Sequence, residues 1–295
     1  MSLRVAHSPS LQSSVLHERG WRRYEAQSPA GALSIKCMFG GAAHYETRLG
    51  RYRVDDGHYL ILKHGTPYTI TIDAPQPMES FCIFFAPGFV EQSLRARVVP
   101  EDHLLAGPAH NNGTPAGFFE RTYPHAGRLT AALHRLRKAS LGGKRDSAWW
   151  DEQLHRLAAH LLDAHRGAQR EAARIPAARP ATRAELYRRL HRARDYMEAS
   201  LDEPLRLAEI ARVAAMAPHH FLRVFKRAFD ATPHQYLTAR RIEHAKHLLT
   251  ASDMPVTDVG LEVGFSSLGS FSWLFRRRAG LSPQQFRRAN TRRTK

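Results

Sequence analysis

One segment of the chain occurs twice, as FLRVFKRAFDATPHQY at Phe221–Tyr236 and as FSWLFRRRAGLSPQQF at Phe271–Phe286. An offset of 50 residues aligns aromatic, basic, hydroxyl, proline and glutamine positions of the two copies. The aligned pairs are Phe221 with Phe271, Phe225 with Phe275, Lys226-Arg227 with Arg276-Arg277, Thr232-Pro233 with Ser282-Pro283, Gln235 with Gln285, and Tyr236 with Phe286. Because a repeat at a fixed offset indicates one supersecondary unit built twice, this segment decides the fold of its part of the chain.

Upstream of the repeat the offset falls to 49, where Ile210-Ala211 aligns with Val259-Gly260. The second copy therefore has one extra residue in the turn that follows. In each copy a short amphipathic helix precedes this turn, and a helix with phenylalanines along one face follows it. Thr232-Pro-His-Gln235 and Ser282-Pro-Gln-Gln285 both have the pattern of a capping box with proline at the first helical position.

Two short helices joined by a tight turn, the second ending in basic residues, predict helix-turn-helix units at about 205–229 and 254–279. Their second helices, the recognition helices, are expected near 218–229 and 268–279. Between the units, Pro233–Leu249 has the pattern of one continuous helix, roughly 26 Å long at 1.5 Å per residue. Such a spacer would hold the recognition helices about 34 Å apart, one turn of B-DNA.

The charge of the chain points to the same class of partner. Its 295 residues carry 44 Lys and Arg against 27 Asp and Glu, a formal net charge of +17. Residues 181–295 hold 21 of the basic and 11 of the acidic side chains, so this part is about twice as basic per residue as the rest. An excess of positive charge indicates a polyanionic partner, nucleic acid before a membrane surface.

Length and composition bound the class of protein. The length predicts two domains, and an apolar content of 43% excludes wholesale disorder. Since no long apolar run occurs, we expect no membrane span, no secretory signal and a cytoplasmic location. Two cysteines, Cys37 and Cys82, are too few for a disulfide scaffold, and their apolar neighbours predict buried, inert thiols.

The N-terminal part has the short alternating or fully apolar segments that are typical of strands, separated by turn residues. These segments are Ala32–Phe39, Tyr59–Leu62, Tyr68–Ile72 and Ser80–Phe85. They predict a β-sandwich or a small barrel, and a small barrel can enclose one small ligand.

Helical spacing follows the strands. Apolar residues recur every three or four positions within 129–136 and again within 150–161, which predicts a pair of helices joined at Gly142-Gly143. The pair packs either on the barrel or on its copy in a second chain, and the large area of Trp149-Trp150 favours the second chain. Residues 167–182 lack an apolar stripe and contain two prolines, which indicates a linker.

The C-terminal part resembles the AraC/XylS family of bacterial transcription regulators over residues 183–290. The motifs that carry the resemblance are Leu207-x-x-Ile210-Ala211, His220-Phe221-x-x-x-Phe225-Lys226, Pro233-x-x-Tyr236, Arg241-Ile242-x-x-Ala245-x-x-Leu248-Leu249, Gly264-Phe265, Phe271-x-x-x-Phe275-Arg276 and Gly280-Leu281-Ser282-Pro283. Residues 31–87 are similar to the cupin-type sensory domain of many members, through the strand pattern and Asp56-Gly57-x-Tyr59-Leu60-x-Leu62.

This resemblance implies an α+β chain in three parts. Residues 1–166 would form a cupin-like sensory or dimerisation domain with a helical pair, 167–182 a linker, and 183–290 an all-α DNA-binding domain of seven helices. The implied partners are double-stranded promoter DNA, RNA polymerase, an unidentified small-molecule effector and a second copy of the chain, with no cofactor and no metal. Activation or repression would depend on where the operator lies relative to the promoter.

The resemblance also assigns residues to the DNA, position by position. The residues expected at base edges are His219, Leu222 and Arg223 in the first unit and Gly269, Ser270 and Trp273 in the second. The residues expected at phosphates, which position the protein without specifying sequence, are Lys226, Arg227, Arg276 and Arg277. A bidentate contact from arginine to guanine is worth roughly 1–3 kcal/mol of discrimination.

Three residues depart from the family's usual pattern. Trp273 stands where members commonly carry arginine, so this side chain either contacts thymine methyl groups or turns into the core. Ala217 replaces the usual serine at a helix N-cap, which costs roughly 1 kcal/mol. Gly260 replaces the usual alanine inside a short helix, which costs about 1 kcal/mol in helix propensity. The second unit is therefore expected to be the weaker one.

Two other functions are alternatives, a cupin-type metal enzyme and a non-specific DNA-binding protein. His44-x-Glu46, followed by His58 and His64, partly matches cupin metal ligands, but the His-x-His spacing is absent. The sequence also has no Gly-x-Ser-x-Gly elbow, no His-Glu-x-x-His and no phosphate-binding glycine loop, so we predict no catalytic residue. Charge alone can coat DNA, but a repeated helix-turn-helix unit is not needed for that.

Overall fold

The computed structural model of the protein describes residues 4–7, 13–98, 117–142, 146–177 and 179–291. The chain divides into two compact units, Met1–Arg188 and Arg189–Lys295. The first unit combines a sheet with helices, whereas the described part of the second is helical. The predicted α+β class is therefore confirmed.

The described part of the first unit contains eight strands in one antiparallel sheet. The strands are β1 Arg4–His7, β2 Ser14–Ser28, β3 Leu33–Phe39, β4 Ala43–Thr47, β5 Arg51–Val54, β6 His58–Leu62, β7 Tyr68–Phe85 and β8 Arg121–Pro124. Their order along the sheet is β1-β2-β7-β3-β6-β8, and β4 pairs with both β5 and β7.

Two long strands, β2 and β7, bend this sheet into a nearly closed barrel. The start of β7, Tyr68–Ile72, pairs with β4, whereas its end, Glu79–Phe85, pairs with β3. Strand β2 follows β7 along both stretches, with register shifts between Arg19 and Arg23. The barrel encloses a cluster of buried apolar side chains, namely Met38, Ala43, Tyr45, Tyr52, Val54, Leu60, Leu62, Ile72 and Met78. This is the small barrel that the strand pattern predicted.

One strand boundary was wrong. Tyr68–Ile72 and Ser80–Phe85, predicted as separate strands, are the two ends of β7. The prolines between them, Pro75 and Pro77, lie where the pairing with β2 jumps from Asp73 to Met78. Proline is tolerated in a strand at such an irregularity, because no regular ladder hydrogen bond is lost there.

The two cysteines lie on opposite faces of the sheet. Cys37 is fully buried, and this burial raises the pKa of its thiol well above the usual range. Cys82 pairs with Lys36 on the neighbouring strand, so it shares the face of Lys36 rather than that of Cys37. Both thiols are free and buried, as predicted.

Among the described residues, three helices lie wholly within the first unit: α1 Phe89–Val98, α2 Gly127–Leu141 and α3 Ser147–Ala173. The predicted helical pair corresponds to α2 and α3, which pack against each other, and α3 also packs against α1. Trp150 is buried inside this chain, so its apolar area no longer favours packing on a second chain. No helix among the described residues combines the length and the apolar character needed to cross a membrane.

The segment predicted as a linker, 167–182, is largely helical. Helix α3 continues to Ala173, and α4, Pro180–Ala199, begins before the segment ends and crosses the division between the two units. The side chains that α3 buries in this stretch are Ala168 and Ala172, one turn apart. An alanine stripe gives little contrast in hydropathy, which is why the sequence pattern did not reveal this helix.

The second unit has the predicted arrangement of helices. After α4 follow α5 Leu207–Val213, α6 Pro218–Phe229, α7 Pro233–Ala251, α8 Val256–Glu262, α9 Leu268–Ala279 and α10 Pro283–Thr291. Helices α5 and α6 form the first helix-turn-helix unit, α8 and α9 form the second, and α7 connects them. Both recognition helices, α6 and α9, have the bounds that the sequence predicted.

The turns of the two units have the same hydrogen bonds at an offset of 49. Met216 N donates to Ala211 O at 2.9 Å in the first turn, and Phe265 N donates to Gly260 O at 2.9 Å in the second. The left-handed residues also correspond, because Ala215 has φ 51° and Gly264 has φ 83°. The turn between α5 and α6 spans residues 214–217 and that between α8 and α9 spans 263–267, which confirms the extra residue of the second copy.

The turn between α8 and α9 packs closely on the loop that precedes the first helix-turn-helix unit. A Cβ atom on Gly264 would lie 2.4 Å from the carbonyl oxygen of Leu201 and 2.7 Å from Arg241 Nη2. Arg241, on α7, donates from Nε to Leu201 O at 2.7 Å and from Nη2 to Glu203 O at 2.6 Å. Gly264 is thus required both by its backbone conformation and by the lack of space for a side chain.

Helix α7 is also held to α4 by partly and fully buried polar groups. Glu198 Oε1 accepts a hydrogen bond from Tyr236 OH at 2.6 Å and lies 2.7 Å from Arg240 Nε. A second arginine near the C-terminus, Arg287, donates to Leu249 O at 3.3 Å and to Met254 O at 2.5 Å. Arg241 thus fixes the loop before the first helix-turn-helix unit to α7, and Arg287 fixes the loop before the second helix-turn-helix unit to α10.

Replacing Gly264 by alanine should destabilise the second helix-turn-helix unit by more than about 2 kcal/mol. The left-handed conformation alone costs about 1–2 kcal/mol, and the contact with Leu201 adds to this cost. The matched variant is Ala215→Gly at the equivalent turn position, which relieves strain and should change stability by less than about 1 kcal/mol in the favourable direction. Urea unfolding of both variants measures the difference. Equal and small effects would contradict the close packing of the second turn.

Candidate nucleic-acid interface

The recognition helix α6 presents one polar face and buries the opposite one. Phe221 and Phe225 are fully buried, and their rings lie 5.2 Å apart. Because successive residues of a helix turn by about 100°, the residues on the opposite face are those two positions on either side of these phenylalanines. They are His219, Arg223 and Arg227, with Lys226 beside them, and all four are exposed. Leu222 lies at the edge of this face and is half-buried.

The recognition helix α9 repeats this arrangement. Phe271 and Phe275 are fully buried, with rings 5.6 Å apart. The residues on the outward face are Gly269, Ser270, Trp273, Arg276 and Arg277, and all five are exposed. The structure therefore brings together on each helix the residues that the sequence selected, while their contacts with DNA stay predictions.

Trp273 is a surface residue. Its side chain is 60% exposed, and the guanidinium of Arg277 lies 5.2 Å from the centre of its ring. This contact is a cation–π interaction, with Arg277 one turn further along the same face. The alternative that Trp273 turns into the core is wrong, because Phe271 and Phe275 already occupy the buried face.

The cations of this interface are available to an anionic partner. Among the described residues, Arg223, Lys226, Arg227, Arg276 and Arg277 make no ion pair with a carboxylate. Basic residues in the last turns of α6 and α9 also complement the negative ends of the helix dipoles. Each recognition helix thus has a concentration of unpaired positive charge at its C-terminal end.

The expectation that the second helix-turn-helix unit is the weaker one needs revision for two reasons, the N-caps of α6 and α9 and the packing around Gly260. Ser267 caps α9, accepting from Ser270 N at 3.2 Å, whereas Ala217 gives α6 no side-chain cap. A Cβ atom on Gly260 would lie 2.9 Å from Phe271 Cδ1. Gly260 therefore allows the close approach of Phe271, and the helix without a side-chain cap is α6 of the first helix-turn-helix unit.

One residue on the outward face was missed by the sequence analysis. His220 is exposed and aligns with Ser270 at the offset of 50 residues. The repeat itself gave the signal, because Ser270 was selected and its counterpart was not. Ser270 has a local partner, since Ser267 Oγ lies 3.0 Å from its hydroxyl, so His220 is the freer of the two side chains at this position.

The histidines that suggested a metal enzyme are not gathered into one site. His44 and Glu46 are exposed on β4, on the face opposite the buried Ala43 and Tyr45. His58 Nδ1 lies 3.3 Å from Asp55 Oδ1, and His64 is exposed. Within the residues that the structure describes, no three His, Cys, Asp or Glu side chains come together with the geometry of a metal site.

The first unit has an open cleft of about 680 Å³ beside the bend of β2 and β7. Its charged residues are paired, because Glu79 accepts from Arg137 Nη2 at 2.8 Å and lies 2.5 Å from His17 Nε2. Burial would raise the pKa of Glu79, but the hydrogen bonds from Arg137 and His17 outweigh it and the pKa is lowered. Asp56, also in the cleft, accepts from Gly40 N at 3.0 Å. The charges that line this cleft are thus largely satisfied within the protein.

Comparison with known proteins gives the class of the second unit. Residues 210–289 match a family described as a helix-turn-helix domain. The chain is 38% identical over 92 residues to the probable transcriptional regulator LumQ of Photobacterium leiognathi, covering 31% of this chain and 37% of that protein. It is 31% identical over 98 residues to the melibiose operon regulatory protein of Escherichia coli K12, covering 33% and 32%.

One solved structure also has a similar sequence. The DNA-binding domain of the global transcriptional factor AdpA, in complex with a target DNA, is 31% identical, with 35% of this chain and 94% of that chain covered and a TM-score of 0.35. The chain spans about a third of the length of the curated relatives named above. The second unit therefore contains a helix-turn-helix domain.

The match to this helix-turn-helix family agrees with the AraC-type pattern that the repeated motifs indicated for this part of the chain. The resemblance inferred from the sequence is confirmed for this part of the chain.

Proposed function

We propose that this protein is a sequence-specific DNA-binding regulator of transcription that works in the cytoplasm, and not an enzyme. The observation that carries the proposal is the pair of outward faces on α6 and α9. Each combines side chains suited to base edges with unpaired cations suited to phosphates. Two such faces on one compact unit favour recognition of a defined sequence over simple charge neutralisation.

In this proposal the two recognition helices enter successive major-groove segments of one duplex. Helix α7 has 19 residues and is about 28 Å long, close to the length that such a spacing requires. The proposed base contacts are made by His219, Leu222, Arg223, Gly269, Ser270 and Trp273. The proposed phosphate contacts are made by Lys226, Arg227, Arg276 and Arg277. His220 is added to the base-reading face of the first unit.

The first unit has the proposed role of a sensor. Residues 1–166 would bind a small-molecule effector and 183–290 would bind DNA, with the segment between them transmitting the change. The effector would shift the population of molecules able to bind the operator or to contact RNA polymerase. A homodimer would read paired half-sites. The enclosed barrel supports this role, because a small barrel is suited to hold one small ligand.

Non-specific binding by charge is the second candidate function, favoured by the net charge of +17. Binding of the full chain to an operator selected from random DNA, compared with scrambled DNA over a series of salt concentrations, separates the two. Sequence-specific recognition predicts a difference in affinity that persists at every salt concentration. Equal affinities throughout would leave charge neutralisation as the function.

Replacing Arg223 by alanine should weaken binding to the selected operator by about 10- to 100-fold and relax the preference at one base pair, because a bidentate contact to guanine is worth roughly 1–3 kcal/mol. Replacing Lys226 one turn away should instead weaken binding to all sequences and reduce the salt slope by about one ion. Gel-shift titrations of both variants on operator and scrambled DNA test this contrast. Identical behaviour of the two variants would contradict the division into base and phosphate contacts.

Trp273 should recognise the methyl group of a thymine through apolar contact. Replacing that thymine by uracil removes only the methyl group and should weaken binding of the natural protein about fourfold, since burial of one such group is worth about 0.8 kcal/mol. The Trp273→Ala variant should bind thymine and uracil operators equally well. A loss that is the same in both proteins would show that another residue contacts the methyl group.

A further inference from the structure

The two recognition helices are packed alike but differ at their N-termini. Each buries two phenylalanines, and α6 buries Val224 in addition. Helix α6 begins after Ala217, which gives no side-chain cap, whereas α9 begins after Ser267, whose Oγ accepts from Ser270 N at 3.2 Å. A missing cap leaves N–H groups of the first turn without a protein partner, so the first turn of α6 is the less stable one.

The left-handed residues beside these helices show the same difference. Ala215 before α6 and Asp230 after it have φ angles of 51° and 53°, and no other residue except glycine has a positive φ in the described part of the chain. The matching positions of the second helix-turn-helix unit hold Gly264 and Gly280, with φ angles of 83° and 78°. Glycine adopts this conformation without steric cost, whereas alanine, and to a lesser degree aspartate, is strained in it. Backbone strain is therefore concentrated at the two ends of α6.

Helix α4 contacts both of these strained ends. Arg189 Nη1 donates to the carbonyl oxygen of Ala215 at 3.3 Å. Two residues further along α4, the ring of His191 lies edge-on to that of Phe229, with 5.2 Å between the ring centres. Phe229 is the last residue of α6 and directly precedes Asp230. Since a strained conformation persists only where its surroundings hold it, these contacts of α4 help to keep α6 in place.

Helix α9 is held by other elements. It packs against α7, α8 and α10, which all belong to the repeated part of the chain. Its N-terminus has a side-chain cap, and the left-handed positions beside it are glycines, so it needs no outside contact to hold a strained turn. The two recognition helices thus differ in what their order depends on.

We propose that α4 restrains the first recognition helix and that this restraint can be released. With Arg189 and His191 in contact, both ends of α6 are held and its outward face is formed. When these contacts open, Ala215 leaves the left-handed conformation and α6 loosens, while α9 stays ordered. The consequence for DNA binding rests on the proposed function, whereas the coupling of α4 to α6 does not.

The course of α4 makes this contact suitable for regulation. The helix begins at Pro180, within the first unit, and Arg189 is its first residue in the second unit. Tyr187, less than one turn before Arg189, donates from its hydroxyl to Glu171 Oε2 on α3 at 2.6 Å. A ligand of the first unit that favours one position of α4 would therefore shift the population in which α6 is held.

Hydrogen–deuterium exchange of the full chain without DNA tests the restraint, because exchange reports how often a helix opens. In the natural protein we expect protection factors of α6 to be at least fivefold lower than those of α9. Arg189→Ala should lower the protection of α6 at least a further fivefold and change that of α9 less than twofold. The matched control is Arg192→Ala on the same helix, where Arg192 is half-buried and has no hydrogen bond among the described residues. This control should leave both helices unchanged.

A second substitution separates the release of strain from general damage. Ala215→Gly removes the strain that Arg189 holds, so in this background Arg189→Ala should change the protection of α6 less than twofold. If Arg189→Ala does not fold, Arg189→Gln replaces it in the same measurements. Equal protection of α6 and α9 in the natural protein, equal effects of the Arg189 and Arg192 variants, or no rescue by Ala215→Gly would each overturn the proposal.

Footprinting on a selected operator separates this proposal from the proposed function. At a concentration that saturates one protected segment, Arg189→Ala should weaken protection of the other segment at least fivefold, and Arg192→Ala should keep both. Equal weakening of both segments by Arg189→Ala would overturn the selective restraint of α6. If the natural protein gives no specific footprint while the exchange results are as expected, the proposed function is overturned and the coupling of α4 to α6 stands.

Discussion

Each recognition helix is oriented by the burial of two phenylalanines. Phe221 and Phe225 in α6, and Phe271 and Phe275 in α9, are fully buried. Because the face of a helix opposite its buried side must meet solvent, these four residues decide which side chains are presented. The histidine, arginines, lysine and tryptophan of the outward faces hold their positions as a consequence of this packing.

Contacts within the second unit hold the two helix-turn-helix units in one arrangement. Arg241 binds α7 to the loop before the first helix-turn-helix unit, and Gly264 allows the turn of the second helix-turn-helix unit to pack against the same loop. Glu198 adds a link from α4 to α7 through Tyr236. Two recognition faces are therefore held by one set of loops and one connecting helix, and DNA recognition by both at once would use that fixed relation.

Much of this was predictable from the sequence because the unit is repeated. The bounds of α6 and α9, both capping boxes and the extra residue of the second turn followed from aligning the copies. The continuous strand β7 and the C-terminal end of α3 did not, since prolines at a register shift and an alanine stripe carry no clear hydropathy signal. The exposure of Trp273 depends on its three-dimensional surroundings, which residue spacing does not contain.

In the proposed mode of binding, one chain reads two successive turns of one duplex through α6 and α9. Hydroxyl-radical footprinting of the full chain on a selected operator tests it most directly. The account predicts two protected segments on one face of the DNA, with centres about 10 base pairs apart. A single protected segment, or two segments on opposite faces of the duplex, would contradict it.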